Sequence, residues 1–261
     1  NRYGSDRPDL RYGLELHSLT DMVKGCGFQV FSQAVENGGV VKTICAPKTN
    51  EWTRSHIDEL TEYARALGAK GLAYIKVGAV KDSEYENAGK KITLENNELV
   101  LQSPILKFLS EETLVEIIKK TGATAGNTLF FGAGSEKEVN TVLSQIRQKI
   151  ARDLGLIDNN LLAWAWIVDF PMYEYDETNK KLDFAHNPFS MPQGGMKALE
   201  SEKPLSILAH QYDIICNGLE LSSGAVRNNR PDIMLKAFAL AGYTEDEVRK
   251  KFGHMMAAFE Y

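Results

Sequence analysis

The chain has 261 residues, with 30 Lys+Arg against 35 Asp+Glu for a formal charge of −5. That length buries a sizeable core in one large domain or two moderate ones, and 43% hydrophobic with 25% charged residues disfavours disorder, collagen-like repeats and coiled coil. No stretch approaches the 18 uninterrupted apolar residues of a helical membrane span, and the mild acidity argues against holding nucleic acid by bulk charge alone. The first residue is Asn1 and no basic-then-apolar leader follows, so the expectation is a piece of something longer. Cys26, Cys45 and Cys216 form no CxxC pair, which points to a reduced, cytoplasmic setting without a disulfide framework. The histidines show no HxxxH or HxH spacing, so a transition-metal enzyme is not indicated.

In chain order, Asn1 to Gly13 mixes charge, Gly and Pro and reads as a structured loop running into a short helix, with Asp and Arg side chains available to pair. Phe28-Gln-Val-Phe31 and Val40-Val-Lys-Thr-Ile44 read as two strands of a hairpin around Asn37-Gly38-Gly39. Ile57, Leu60, Ala64 and Leu67 recur at helical spacing, and Gly68 closes that helix. Gly71 to Val77 is a strand, and Lys81 to Asn97 is a polar excursion or hairpin. A helix follows Ser110 and stops at Gly122, and Thr128 to Phe131 is the next strand. Ser135-Glu-Lys-Glu138 is a capping box opening a long helix that carries Val139, Val142, Leu143, Ile146 and Ile150.

The last hundred residues have a different order. Ala163 to Phe170, Leu182 to Asn187, and two segments within Tyr212 to Val226 around Asn217-Gly218 read as strands, and helices near Pro231 and after Thr244 close the chain. An antiparallel sheet backed by helices fits that order, giving an α+β protein.

Two places have the residue types for chemistry. Gly132-Ala-Gly134-Ser135 joins a strand to a helix as phosphate-binding turns do, but the fuller GxGxxG pattern is absent and a plain βα turn is the preferred reading. In the hairpin Tyr212 to Arg227, a two-residue turn at Asn217-Gly218 sets Ile215 opposite Glu220 and Asp213 opposite Ser222. Asp213 and Glu220 then become diagonal neighbours on one face, where two carboxylates repel unless a hard cation such as Mg²⁺ lies between them. A solvated polar face is the competing reading. Arg227 lies seven residues after Glu220, an odd offset that points it to the opposite face unless Ser222-Ser223-Gly224 forms a bulge. An arginine fork suits a substrate carboxylate. His186 stands two residues before Pro188 and, taken alone, reads as a structural histidine.

These residues carry a resemblance. Tyr3-Gly-Ser-Asp-Arg-Pro-Asp-Leu-Arg11, Trp166-Ile-Val-Asp-Phe-Pro-Met172, Ala185-His-Asn-Pro-Phe189, Tyr212-Asp213, Asn217-Gly-Leu-Glu220 and Gly224-Ala-Val-Arg227 resemble the bacterial aspartyl-tRNA synthetases, in order and over the whole chain. The stretch 28–134 resembles the GAD insertion that splits the class II catalytic domain of that family. The resemblance implies four parts: residues 1–27 leading into the insertion, the GAD domain over 28–134, a connecting helix over 135–160, and a partial antiparallel-sheet catalytic domain over 161–261. It implies that Arg227 and His186 bind L-aspartate, that Glu220 serves the ATP site, and that Asp213 and Glu220 hold Mg²⁺ on the ATP phosphates.

The family activates L-aspartate with ATP to aspartyl-adenylate and transfers it to tRNA(Asp), with tRNA(Asn) as a second acceptor in some members. The resemblance further implies a cytoplasmic homodimeric parent with no membrane partner. Departures are His186-Asn187 where the pattern has two histidines, and Ser222-Ser223-Gly224 where it has three glycines. The anticodon domain and class II motifs 1, 2 and 3 have no counterpart in these residues, so no catalytic side chain is assigned and the chain alone is expected to be inactive. The alternative is a stand-alone GAD-type module that binds tRNA or protein without catalysis.

Overall fold

The computed structural model describes residues 2–80, 89–94 and 97–259, arranged as two compact units, Asn1–Leu161 and Leu162–Tyr261. The first unit is built on one antiparallel sheet, whose strands are β1 (Leu16–Ser18), β2 (Val40–Ala46), β3 (Ala73–Ala79), β4 (Lys90–Leu94), β5 (Asn97–Gln102) and β6 (Thr128–Gly134). Their spatial order is β1-β2-β6-β3-β5-β4. Its helices are α1 (Gln29–Glu36), α2 (Arg54–Ala66), α3 (Glu111–Thr121) and α4 (Glu136–Asp153).

Both faces of this sheet are buried, and the two-residue strand period decides which side chain goes where. Leu129 and Phe131 of β6 enter one core with Val41, Ile75, Leu101, Phe31 of α1 and Leu114 and Ile117 of α3. Phe130, between them, points the other way into a second core with Ile44, Ile57 and Leu60 of α2 and Val139, Leu143, Ile146 and Ile150 of α4. The helix ends follow their sequence signals. Thr53, Ser110 and Ser135 each accept an amide from the first turn, Ser135 and Glu138 complete the capping box, and Gly122 closes α3 at φ 64°.

Two local expectations are corrected. Phe28 to Phe31 begins a helix, not a strand, because Phe31 and Val35 lie one turn apart and both pack into the first core. A run of apolar, polar, apolar, apolar residues fits either period at that length. The Asn37-Gly38-Gly39 turn therefore ends α1, with the Gly39 amide donating to Ala34 O and the Gly38 amide to Val35 O. No short helix follows the opening loop; Leu16–Ser18 instead pairs with β2 as an edge strand. The expectation for 81–97 falls partly outside the described residues; where described, β4 pairs with β5 as a hairpin, one of the two forms expected, while Ile92 is a buried core residue.

The second unit contains the antiparallel sheet β11-β10-β7, made of β7 (Trp164–Pro171), β10 (Leu208–Cys216) and β11 (Leu219–Ala225). It also has the hairpin β8 (Tyr173–Asp176) and β9 (Lys181–Phe184), with helices α5 (Gly195–Ser201), α6 (Pro231–Leu240) and α7 (Glu245–Phe259). Met172, Tyr173, Ile207 and Ala209 pack with Ala198, Leu199, Ile233 and Ala237, so helices back this part of the unit as the element order predicted. Trp164, Trp166 and Leu219 remain 54%, 60% and 66% exposed. Register places all three on one face of the sheet with Tyr212, Ile214 and Cys216.

Candidate functional site

The β10–β11 hairpin turns at Asn217 (φ 51°) and Gly218 (φ 83°), the left-handed pair that a tight two-residue hairpin loop requires. The Asn217 side-chain oxygen accepts the Ala163 amide at 2.9 Å and fixes the loop to the approach to β7. Cys216 faces Leu219 and Ile215 faces Glu220, as the spacing predicts. The register then slips: Ile214 faces Ser222 and Asp213 faces Ser223, leaving Leu221 as the extra residue of a bulge. Asp213 is therefore opposite Ser223 and not Ser222.

This slip matters for the side-chain faces. Glu220 shares its face with Ile215 and hence with Asp213, two residues earlier on β10. Without a bulge, seven residues from Glu220 would put Arg227 on the other face. One extra residue makes the offset even: the face of Asp213 runs through Ser223 and Ala225, where the paired register ends two residues before Arg227. The bulge lies one position before the Ser-Ser-Gly run suggested for it. Gly224 sits across from Tyr212, and a side chain there would collide with the Tyr212 ring, which packs edge-on against Trp166 at 5.7 Å.

Backbone bonds hold the Arg227 segment on both sides. Arg227 bridges Ser190, the Met191 amide donates to Val226 O at 2.8 Å, and the Asn228 amide donates to Phe189 O at 2.8 Å. The 187–190 loop, just after His186, is thus laid along the Arg227 strand. The imidazole of His186 is exposed, packs edge-on against Phe170 at 5.1 Å, and lines a pocket of about 260 Å³ with Phe184, Phe238, Tyr243, Lys251 and Phe252. Asp213, Glu220 and Arg227 do not line that pocket.

Among the described residues no group of three or more His, Cys, Asp and Glu is arranged to hold a metal. Asp213 and Glu220 alone offer two carboxylates on one face, a donor set that suits a hard ion only when other oxygens complete the shell. Phosphate oxygens of a nucleotide are of that kind. The Gly132 to Ser135 turn takes the plain reading: the Glu138 carboxylate already accepts from the Ser135 amide and hydroxyl, filling the helix start with negative charge. Sequence reasoning missed Gln211, Ser190 and Asn187, which tie this region together. The only signal was a polar Gln at an inward strand position.

Comparison with known proteins gives a domain match first. Residues 31–143 match the family model of the GAD domain. Along its full length the chain is homologous to aspartate--tRNA ligases. It is 45% identical over 261 residues to the aspartate--tRNA(Asp/Asn) ligase of Wolbachia sp. subsp. Brugia malayi. It is also 46% identical over 260 residues to the aspartate--tRNA ligase of Streptomyces coelicolor, and 45% over 261 to the aspartate--tRNA(Asp/Asn) ligase of Chlorobaculum parvum. In each case all of this chain aligns with 40% of the relative, so it spans well under half of their length.

Proposed function

We propose that this chain is an internal segment of an aspartate--tRNA ligase, in which the GAD domain is an insertion and the second unit supplies part of the aspartate-activating site. The observation that carries the reading is the single-residue bulge at Leu221, which gives Arg227 the even offset that a place on the carboxylate-bearing face of Asp213 and Glu220 requires. A GAD-type module without catalysis has no use for that alignment. In this reading the Arg227 guanidinium forks onto the side-chain carboxylate of L-aspartate, a planar pairing that a lysine cannot reproduce. His186 stands beside the same substrate, on the loop bridged to Arg227 through Ser190.

Asp213 and Glu220 would hold Mg²⁺ against the ATP phosphates, where the ion supplies charge neutralisation. Activation joins the α-carboxylate oxygen of aspartate to the α-phosphorus of ATP and breaks the bond to the β-phosphate oxygen, releasing pyrophosphate. The terminal adenosine of the tRNA then takes the aspartyl group from the adenylate. These residues contribute position and charge, the largest parts of such catalysis. A homodimeric, cytoplasmic parent acting on tRNA(Asp), with tRNA(Asn) as a second acceptor, belongs to the same proposal.

Aspartate-dependent exchange of pyrophosphate into ATP tests it. The complete polypeptide containing this segment is expected to exchange and the 261-residue chain alone is not. Exchange by the chain alone would overturn the segment reading, and failure of the complete polypeptide would overturn the activity.

A further inference from the structure

Strand β10 is irregular on both edges, and the second irregularity has a buried side chain at its centre. Against β7, Ala209 faces Phe170 while Tyr212 faces Val168, so His210 and Gln211 together oppose Asp169. Asp169 adopts φ 60°, a left-handed conformation that costs a non-glycine residue roughly 1–3 kcal/mol and persists only where surroundings enforce it. The enforcement is visible: Gln193 Nε2 donates to Asp169 Oδ1 at 2.8 Å and to Ala209 O at 3.4 Å, spanning the gap. The bulge is held shut.

Inside it, Gln211 is 8% exposed. Its Nε2 donates to Ser190 Oγ at 2.7 Å and to the Asn187 carbonyl at 3.1 Å. A carbonyl only accepts, so the amide nitrogen has to face it. Both acceptors lie on the loop between His186 and the Ser190–Arg227 bridge. One buried amide on β10, two residues from Asp213, therefore joins the three chain segments that bear Asp213, His186 and Arg227. Bulges that re-aim a side chain in this way recur beside active sites.

We propose that Gln211 is a positioning residue for aspartate recognition, pinning the 187–190 loop and, through it, the Arg227 segment. This rests on the reading of Arg227 as the aspartate-carboxylate ligand. A Leu of similar size fills the space but donates nothing, leaving the Asn187 carbonyl and Ser190 hydroxyl to find other partners and the loop to shift. A small misplacement of a substrate-holding group is costly, so the effect falls on aspartate and not on ATP.

The test uses the complete ligase carrying Gln211→Leu, Ser190→Ala or Arg227→Ala, with aspartate KM, ATP KM and kcat measured by pyrophosphate exchange, and amide exchange at Met191 and Asn228. For Gln211→Leu, aspartate KM is expected to rise about ten-fold or more with ATP KM and kcat within about two-fold, and the Met191 and Asn228 amides to exchange faster. Ser190→Ala deletes only the 2.7 Å bond and is expected to raise aspartate KM by about three-fold, which decides the matter if Gln211→Leu does not fold. Unchanged aspartate KM in these two variants, beside a raised KM in Arg227→Ala, overturns the pinning and leaves the aspartate site standing. Unchanged KM in Arg227→Ala overturns that site and the inference with it.

Discussion

Arg147 is the least expected side chain in the first unit, and its removal has a calculable cost. It lies in the middle of α4, 2% exposed, beside the apolar stripe of Leu143, Ile146 and Ile150. Its Nε donates to Gly13 O at 2.9 Å and Leu14 O at 3.1 Å, Nη1 to the Tyr12 hydroxyl at 3.3 Å, and Nη2 to Asp9 O. The guanidinium also lies 4.7 Å from the Tyr3 ring centroid and 4.4 Å from that of Tyr12. Each hydrogen bond to a charged group contributes about 1.5–3 kcal/mol and each ring about 0.5–1 kcal/mol, but desolvating the guanidinium offsets much of the sum.

Replacing it by Met keeps the stem and strands three carbonyls, for a net loss of about 3–5 kcal/mol. Urea unfolding followed by circular dichroism gives that number, and amide exchange locates it. The Leu16 amide, which donates to Arg2 O, should lose protection, while amides in the centre of β6 follow only the global change. Arg147→Lys should recover part of the loss, since an ammonium reaches fewer of these acceptors than the planar fork. A loss below about 1 kcal/mol for Arg147→Met, or unchanged protection at Leu16, would refute the view that one buried cation anchors the opening segment.

Two glycines separate a rigid from a yielding collision. A side chain at Gly39 would overlap the Gly134 carbonyl oxygen on the neighbouring strand, so Gly39→Ala should cost about 3 kcal/mol or more by thermal melt. At Gly224 the obstacle is the Tyr212 ring, itself 38% exposed, so Gly224→Ala should cost only about 1 kcal/mol while changing tryptophan fluorescence as the ring leaves Trp166. Equal losses would contradict the distinction.

Glu136 accepts from the buried Lys42 ammonium at 2.8 Å, and that hydrogen bond holds its carboxyl below the usual glutamate range. A depressed carboxyl contributes stability that is full above the unfolded-state value and is lost as pH falls through the folded one. Because Glu136 is half exposed, the contribution is screened to about 0.5 kcal/mol, and Glu136→Gln should flatten the acid limb of the stability curve by that amount. An unchanged limb would remove the pair from the account.

What the sequence made legible was local. Ser110, Ser135 and Gly122 mark helix ends whose hydrogen bonds close within a few residues, and the structure has them where they were expected. The turn at Asn217-Gly218 likewise determined the first two pairs of its hairpin. The bulge was legible in kind but not in place, because one extra residue anywhere between Glu220 and Arg227 satisfies the parity that Arg227 demands. Phe28 to Phe31 was misread because so short a run supports both periods. Arg147 and Gln211 were invisible, since their partners lie 134 and 21 residues away and are mostly backbone carbonyls or a serine, groups every sequence contains. The roles proposed for Asp213, Glu220, Arg227 and His186 rest on the resemblance, and pairing geometry alone leaves the carboxylates as a solvated face.

The central claim is that Arg227, brought to the face of Asp213 and Glu220 by one bulge, holds the side-chain carboxylate of aspartate. Arg227→Lys in the complete polypeptide tests it most directly, because the charge stays and the bidentate fork is lost. Pyrophosphate exchange titrated with aspartate should show KM raised about a hundred-fold, with ATP KM near that of the parent enzyme. An aspartate KM unchanged by this substitution would contradict the account.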